Sequence, residues 1–335
     1  MDKKDLEHFD KEKMYLIYDK WPEIAKDAFN YPYQQIDFSK IDHIVFAGMG
    51  GSGTIGDIFS AILSKTDTHV TIVRGYTLPK TVNSKTLIVA TSISGNTKEI
   101  LTILESASKI ECRIIGFSSG GIMEEFCTNH NIEFRKIEKI HSPRASLVNF
   151  LYSILKILKP ILPIKDEDIL ESLEKMDELR NKINSENLSP DNKSLDLAKW
   201  ISGIPLIYYP FGLQSVATRF KNCLQENTKT HAISEDVVES SHNGIVAWER
   251  KSVVQPILLI GQEDYIKTKE RWGILREYFN KEGIDFREIV SEKGNILTKI
   301  INMIYFLDYT TIYCAVISKI DPSPVESINF IKERL

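Results

Sequence analysis

Short apolar runs that each stop at a cluster of glycines or hydroxyl residues, then give way to a helical pattern, constrain this chain more than any other feature. His43-Ile44-Val45-Phe46-Ala47 ends at Gly48-Met49-Gly50-Gly51-Ser52-Gly53 and is followed by the periodic Ile55-Gly56-Asp57-Ile58-Phe59. That order predicts strand, tight turn, helix. Residues 70–73 form a second β-branched run. Thr86-Leu87-Ile88-Val89-Ala90 is a third, ending at a Ser/Gly/Asn/Thr turn before the helical residues 98–104, and residues 112–117 are a fourth, ending at a Ser-Ser-Gly-Gly turn. The runs are continuously apolar rather than alternating, as strands covered on both faces are. The predicted fold class is α/β, with a parallel sheet flanked by helices.

The second half repeats the theme. Ile204-Pro205-Leu206-Ile207-Tyr208-Tyr209 reads as a strand ending at Phe211-Gly212, with a helix from Leu213. Residues 254–260 and 286–290 read as further strands, and 296–317 as a long apolar helix. At roughly 100–200 residues per domain, the chain has room for two such units. The expected organisation is an N-terminal unit over 1–155 with a helical extension over about 1–35, a helical connection over 156–195 rich in charged residues and Asn, and a C-terminal unit over 196–335.

Net charge is −4, so no basic footprint argues for nucleic acid or an anionic membrane. Cys112, Cys127, Cys223 and Cys314 make no C-x-x-C pair, which predicts neither a disulfide framework nor a zinc site and fits a reducing cytoplasm. The charged start predicts no signal peptide. The nearly apolar run over 204–213 is about ten residues, well short of the ~20 of a membrane span. A soluble, cytoplasmic protein is expected.

Gly48 to Gly53 matches G-x-G-x-x-G, a weak dinucleotide signal by itself. The acidic residue expected at the end of the next strand is missing, since residues 71–73 run into Arg74-Gly75-Tyr76. Arg74 keeps an NADP 2′-phosphate open as a rival reading. No Gly-Lys-Ser/Thr follows, so a Walker A loop is excluded. The second turn, Thr91-Ser92-Ile93-Ser94-Gly95-Asn96-Thr97, sets hydroxyls between a strand and a helix. Hydroxyls and free N–H groups at a helix start cradle a phosphate dianion. Taken alone, that loop is equally well a simple helix cap. Two such loops after neighbouring strands converge where open α/β sheets bind ligands.

The pair Gly48-Met49-Gly50-Gly51-Ser52-Gly53 and Ser92-Ile93-Ser94-Gly95-Asn96-Thr97 resembles the signature of the sugar isomerase (SIS) fold. Further segments are Ser142-Pro143-Arg144-Ala145-Ser146, Gln225-Glu226-Asn227-Thr228-Lys229, Glu239-Ser240-Ser241-His242-Asn243, Asp321-Pro322-Ser323-Pro324-Val325-Glu326 and Lys332-Glu333-Arg334-Leu335. With them the chain, from about residue 40 on, is similar to the bifunctional phosphoglucose/phosphomannose isomerases. The resemblance implies two SIS-type subdomains and an enzyme, a metal-independent aldose–ketose isomerase of hexose 6-phosphates with no cofactor. It implies that Gly50, Gly51, Ser52, Ser92, Ser94 and Thr97 hold the 6-phosphate, and that Glu226, His242, Lys332 and Arg144 carry the chemistry. It also implies a homodimer in which His242 comes from the neighbouring subunit. Val238, Ser241 and Ile93 depart from the Pro, Asn and aromatic usual in the family at those places.

The residue types suit the reaction. After ring opening, a base takes the proton α to the carbonyl, a cis-enediol(ate) forms, and the proton returns one carbon over. Glu226 is the carboxylate of the four, hence the natural base, its pKa expected to be raised by burial. Arg144, which Pro143 predicts to sit early in a helix, would stabilise enediolate charge. His242 suits ring opening near neutral pH, and Lys332 could assist if the tail folds over the pocket. His8, His43, His130, His141 and His231 show no H-E-x-x-H spacing. The rival from another class is a non-catalytic SIS-type regulator that only binds sugar phosphate.

Overall fold

A computed structural model describes residues 1–334; Leu335, which ends the C-terminal motif quoted above, lies outside the described residues. The chain forms two compact units: Lys20–Asp166 with the stretch from Glu326 on, and Met1–Asp19 with Glu167–Val325. Neither is one continuous piece of chain. Helices α1 (Lys3–Phe9) and α2 (Met14–Asp19) belong with the second unit, whereas α3 (Trp21–Asn30) belongs with the first. The stretch 156–195 likewise divides at Asp166.

The first unit holds β1 (His43–Ala47), α4 (Gly50–Leu63), β2 (His69–Val73), β3 (Thr86–Ser92), α5 (Lys98–Ala107), β4 (Arg113–Ser118), α6 (Ile122–Asn129), β5 (Glu133–Lys136) and α7 (Leu147–Leu158). The sheet is parallel throughout, in the order β2-β1-β3-β4-β5. Every residue of β1 and β3 is buried, as helices on both faces require. Helix α5 turns Ile100, Ile103, Leu104 and Ala107, a helical i, i+3, i+4, i+7 set, onto Val45, Ala47, Ile88 and Ala90. Each such Ile or Leu contributes about 1.5–3 kcal/mol on burial.

The second unit continues with α8 (Asp166–Ile183), α9 (Lys193–Trp200), β6 (Ile204–Tyr209), α10 (Gln214–Cys223), β7 (Ile233–Asp236), α11 (Val237–Ser240), β8 (Val254–Ile260), α12 (Ile266–Glu282), β9 (Arg287–Val290) and α13 (Ile296–Ile317). Its parallel sheet has the order β7-β6-β8-β9, which repeats the first sheet without a fifth strand. Leu206, Tyr208, Leu258 and Ile260 meet Trp272, Leu275 and Phe279 of α12 in its core. Among the described residues α13 alone is long and apolar enough to cross a membrane, yet 89% of its most apolar window is buried, packed by α1, α2, α9 and α10. Helix α14 (Glu326–Lys332) is the last element of the described chain.

One polar contact lies deep in this second core. Arg219 of α10 is 2% exposed and Asp308 of α13 is 0% exposed, and the guanidinium donates Nε and Nη2 to the carboxylate at 3.1 and 2.6 Å. Tyr18 Oη adds a third donor at 3.3 Å, which ties α2 to the same group. Removing one partner of a buried pair strands the other charge, at a cost of about 3–5 kcal/mol. Asp308→Ala is therefore expected to lower unfolding stability in urea by about that amount; a loss under about 1 kcal/mol would contradict the pair's structural role.

Candidate active site

The first sheet reverses its strand order between β1 and β3, whose ends lie side by side with Ala47 opposite Ala90. A crevice opens at such a switch point, outside the carboxyl ends of the strands. The two loops predicted to hold phosphate emerge there. Helix α4 starts at Gly50 behind Met49, which supplies no side-chain cap. Its first N–H groups therefore have no side-chain acceptor at the cap, and the helix dipole leaves positive charge there. Gly50 has φ +53°, a left-handed value that lets the chain enter the helix so abruptly.

The second loop starts α5 at Lys98, with Thr97 at the cap position. As a plain helix cap it fails, because the Thr97 hydroxyl makes no cap bond and lies 2.8 Å from Ser92 Oγ instead. Ser92 Oγ also accepts from Gly95 N at 3.1 Å, and Ser94 Oγ from Asn96 N at 3.3 Å. The two loops touch: Ile93 N donates to Ser52 Oγ at 3.4 Å. Six of the predicted residues, Gly50, Gly51, Ser52, Ser92, Ser94 and Thr97, thus share one edge of one unit.

A third turn braces the second loop, and sequence reasoning marked it only as a turn. Ser119 Oγ donates to Ile93 O at 2.8 Å, Met123 N to Gly95 O at 2.9 Å, and Ile122 N to Asn96 Oδ1 at 3.0 Å. Gly95 (φ +73°) fits under this brace so closely that a Cβ there would lie 1.7 Å from Gly120 O. Arg74, kept open above for a ribose phosphate, pairs instead with Asp57 of α4 beside the glycine turn. Burial pushes the Asp57 carboxyl up from its ordinary value, with the Arg74 guanidinium opposing.

The four predicted catalytic residues are distributed over both units. Arg144 is 3% exposed in the first unit. Contrary to the expectation from Pro143, it lies in the turn before α7 rather than in a helix. The helix is delayed to Leu147 because Ser146 Oγ, 2.8 and 2.9 Å from the carbonyls of Ser142 and Ile140, holds the preceding turn, and Trp21 Nε1 donates to Ala145 O at 3.0 Å. Lys332 ends α14, a helix with no buried residue.

Glu226 and His242 belong to the second unit. Glu226 lies in a π-helical turn, Leu224–Thr228, that extends α10. His242 is exposed just past α11, its N–H donating to Glu239 O at 2.9 Å, and Asp236 caps that helix through Val238 N and Glu239 N. Because β6 and β7 run parallel, α10 must carry the chain back to the amino edge of the sheet. Glu226 therefore precedes β7 and His242 follows it. The four-residue strand β7 stands between them in the chain.

Residues 190–335 match the model for the bacterial phospho-glucose isomerase C-terminal SIS domain. A bifunctional phosphoglucose/phosphomannose isomerase of Caldicellulosiruptor bescii is 30% identical, over 88% of this chain and 90% of the relative. One of Aquifex aeolicus is 29% identical over 94% of each. A solved structure of a hypothetical protein from Thermus thermophilus shares the fold, with a TM-score of 0.72 at 14% identity, over 95% of this chain and 89% of that one.

The packing under the second loop makes a test. Gly95→Ala forces a side chain into a left-handed position and against Gly120 O, so a stability loss of at least about 1–3 kcal/mol is expected. An unchanged urea midpoint would show that the loop yields and the brace is not rigid.

Proposed function

Because this chain belongs to the bifunctional phosphoglucose/phosphomannose isomerase family, we propose that it interconverts glucose 6-phosphate, mannose 6-phosphate or both with fructose 6-phosphate through a cis-enediol intermediate. The observation that carries the substrate class is the meeting of two helix starts, neither with a side-chain cap, at the β1/β3 switch point, joined by the bond from Ile93 N to Ser52 Oγ. A 6-phosphate seated there accepts from the N–H groups of Gly50 and Gly51 and from the hydroxyls of Ser52, Ser92, Ser94 and Thr97. Held at one end, the open-chain sugar is oriented before any proton moves, which replaces a bimolecular encounter by a positioned one.

In this reading Glu226 takes the proton from the carbon next to the carbonyl and returns it one carbon over. Glucose and mannose phosphates differ at C2, which is planar in the enediol, so one base serves both sugars. The buried Arg144 guanidinium balances the developing enediolate charge, an interaction strongest in the transition state. His242 and Lys332 move protons for ring opening and closure. The chemistry calls for no metal ion and no redox cofactor.

We assign His242 to the site of a neighbouring copy, in a homodimer. Exposure of Val238 and Val246 on either side of His242 supports a covered surface there.

A coupled assay of fructose 6-phosphate formation from each aldose, with EDTA present, tests the reaction; turnover should persist, and loss of both activities in EDTA would contradict a metal-free mechanism. Glu226→Gln should keep KM within a few-fold and lose kcat by about 100-fold or more, whereas a drop below about tenfold removes it as the base. Ser94→Ala should act mainly on KM, raised about tenfold, the size of one lost charge-assisted hydrogen bond. An unchanged KM would reduce the second loop to a structural turn.

A further inference from the structure

Glu226 stands in an unusual piece of backbone. The π-helical turn Leu224–Thr228 ends at Lys229, whose φ of +57° and ψ of +26° are left-handed. Single π turns are rare and concentrate at functional sites. Each residue after Glu226 is tied down. Asn227, 0% exposed, donates Nδ2 to Thr311 Oγ1 of α13 at 2.7 Å, and Thr228 Oγ1 donates to Leu224 O at 2.5 Å. Lys229 Nζ reaches the main-chain carbonyl of Glu226 at 2.6 Å, that of Pro324 at 2.8 Å and that of Pro322 at 3.4 Å.

A lysine in the left-handed region carries a backbone cost of order 1 kcal/mol that a glycine would not. The backbone alone therefore gives no reason for lysine here; the side chain does. An ammonium has three donors and no acceptor, which suits a point where several carbonyls converge. Two of those carbonyls belong to the segment just before α14, whose last residue is Lys332. One cation thus fixes the carbonyl of Glu226 and the root of the chain segment that carries Lys332.

Resting on the reading of Glu226 as the base, we infer that Lys229 is a positioning residue: its ammonium clamps the turn that aims the Glu226 carboxylate and couples that turn to residues 322–324. Lys229 touches no substrate in this account. It acts through Glu226, so its removal leaves substrate affinity in place and slows the proton transfer.

Lys229→Gly separates this role from a backbone one, because glycine accepts the left-handed backbone while the ammonium that makes the clamp is removed. The expected result is a urea midpoint close to that of the unaltered protein, KM for fructose 6-phosphate within about threefold, and kcat lowered about 10- to 100-fold, the scale of a misplacement near 1 Å. Lys229→Arg, which restores donors to the carbonyls, should recover part of the loss. The decisive readout is the double variant. With Glu226→Gln already in place, adding Lys229→Gly should cost less than about twofold more in kcat, since there is no base left to aim. A kcat within about threefold of the unaltered protein for Lys229→Gly, or losses that multiply in the double variant, would overturn the inference. If Glu226→Gln alone kept most of its activity, the base assignment would fail first, and that outcome is distinguishable from failure of the clamp alone.

Discussion

Helix starts that supply no side-chain cap are the constraint on which the rest of the first unit depends. A parallel sheet obliges every strand-to-helix turn to lie at one edge, so the N-terminal N–H groups of α4 and α5 face the same crevice. Both helices forgo the side-chain caps that would satisfy those groups internally. In the proposed reading an anion takes the place of the caps, with the dipoles of both helices favouring it. The other features of the site keep that arrangement rigid: the Ile93–Ser52 bond between loops, the Ser92–Thr97 contact within one, and the Ser118–Gly121 turn beneath.

The two sheets share a strand order but not a use. The turn after β6 is Pro210-Phe211-Gly212, with Phe211 79% exposed, and that after β8 is Gly261-Gln262-Glu263-Asp264; neither repeats the glycine–hydroxyl pairing of the first sheet. The second unit instead contributes a distorted helix end and a loop past β7, on which the proposed base and ring-opening acid stand. Its core is fixed by the Arg219–Asp308 pair, on the same two helices, α10 and α13, that frame the Glu226 turn.

How much was legible in the sequence follows from burial. Strands β1, β3, β6 and β8 are buried through their centres and read as mostly apolar runs. The edge strands β5 (Glu-Phe-Arg-Lys) and β7 (Ile-Ser-Glu-Asp) were missed because a four-residue edge strand needs only one apolar residue to sit on its sheet. The two loops at the β1/β3 switch point were legible because hydroxyls and glycines there are demanded by local geometry. The position of Arg144 was not, since Pro143 favours a helix start but the Ser146 hydroxyl holds the turn open until Leu147. Nor was the Lys229 clamp, two of whose three carbonyl partners lie more than ninety residues away. The pairing of α2 with the last long helix is equally non-local, resting on Tyr18 with Asp308 and on Tyr305 with Tyr18 O.

The most direct test of the account is a crystal structure with fructose 6-phosphate bound. The account predicts the phosphate oxygens within about 2.7–3.2 Å of the Gly50 and Gly51 N–H groups and of the hydroxyls of Ser52, Ser92, Ser94 and Thr97. It also predicts the Glu226 carboxylate in hydrogen-bond reach of C1 or C2. A phosphate seated elsewhere, or a carboxylate turned away from both carbons, would contradict it.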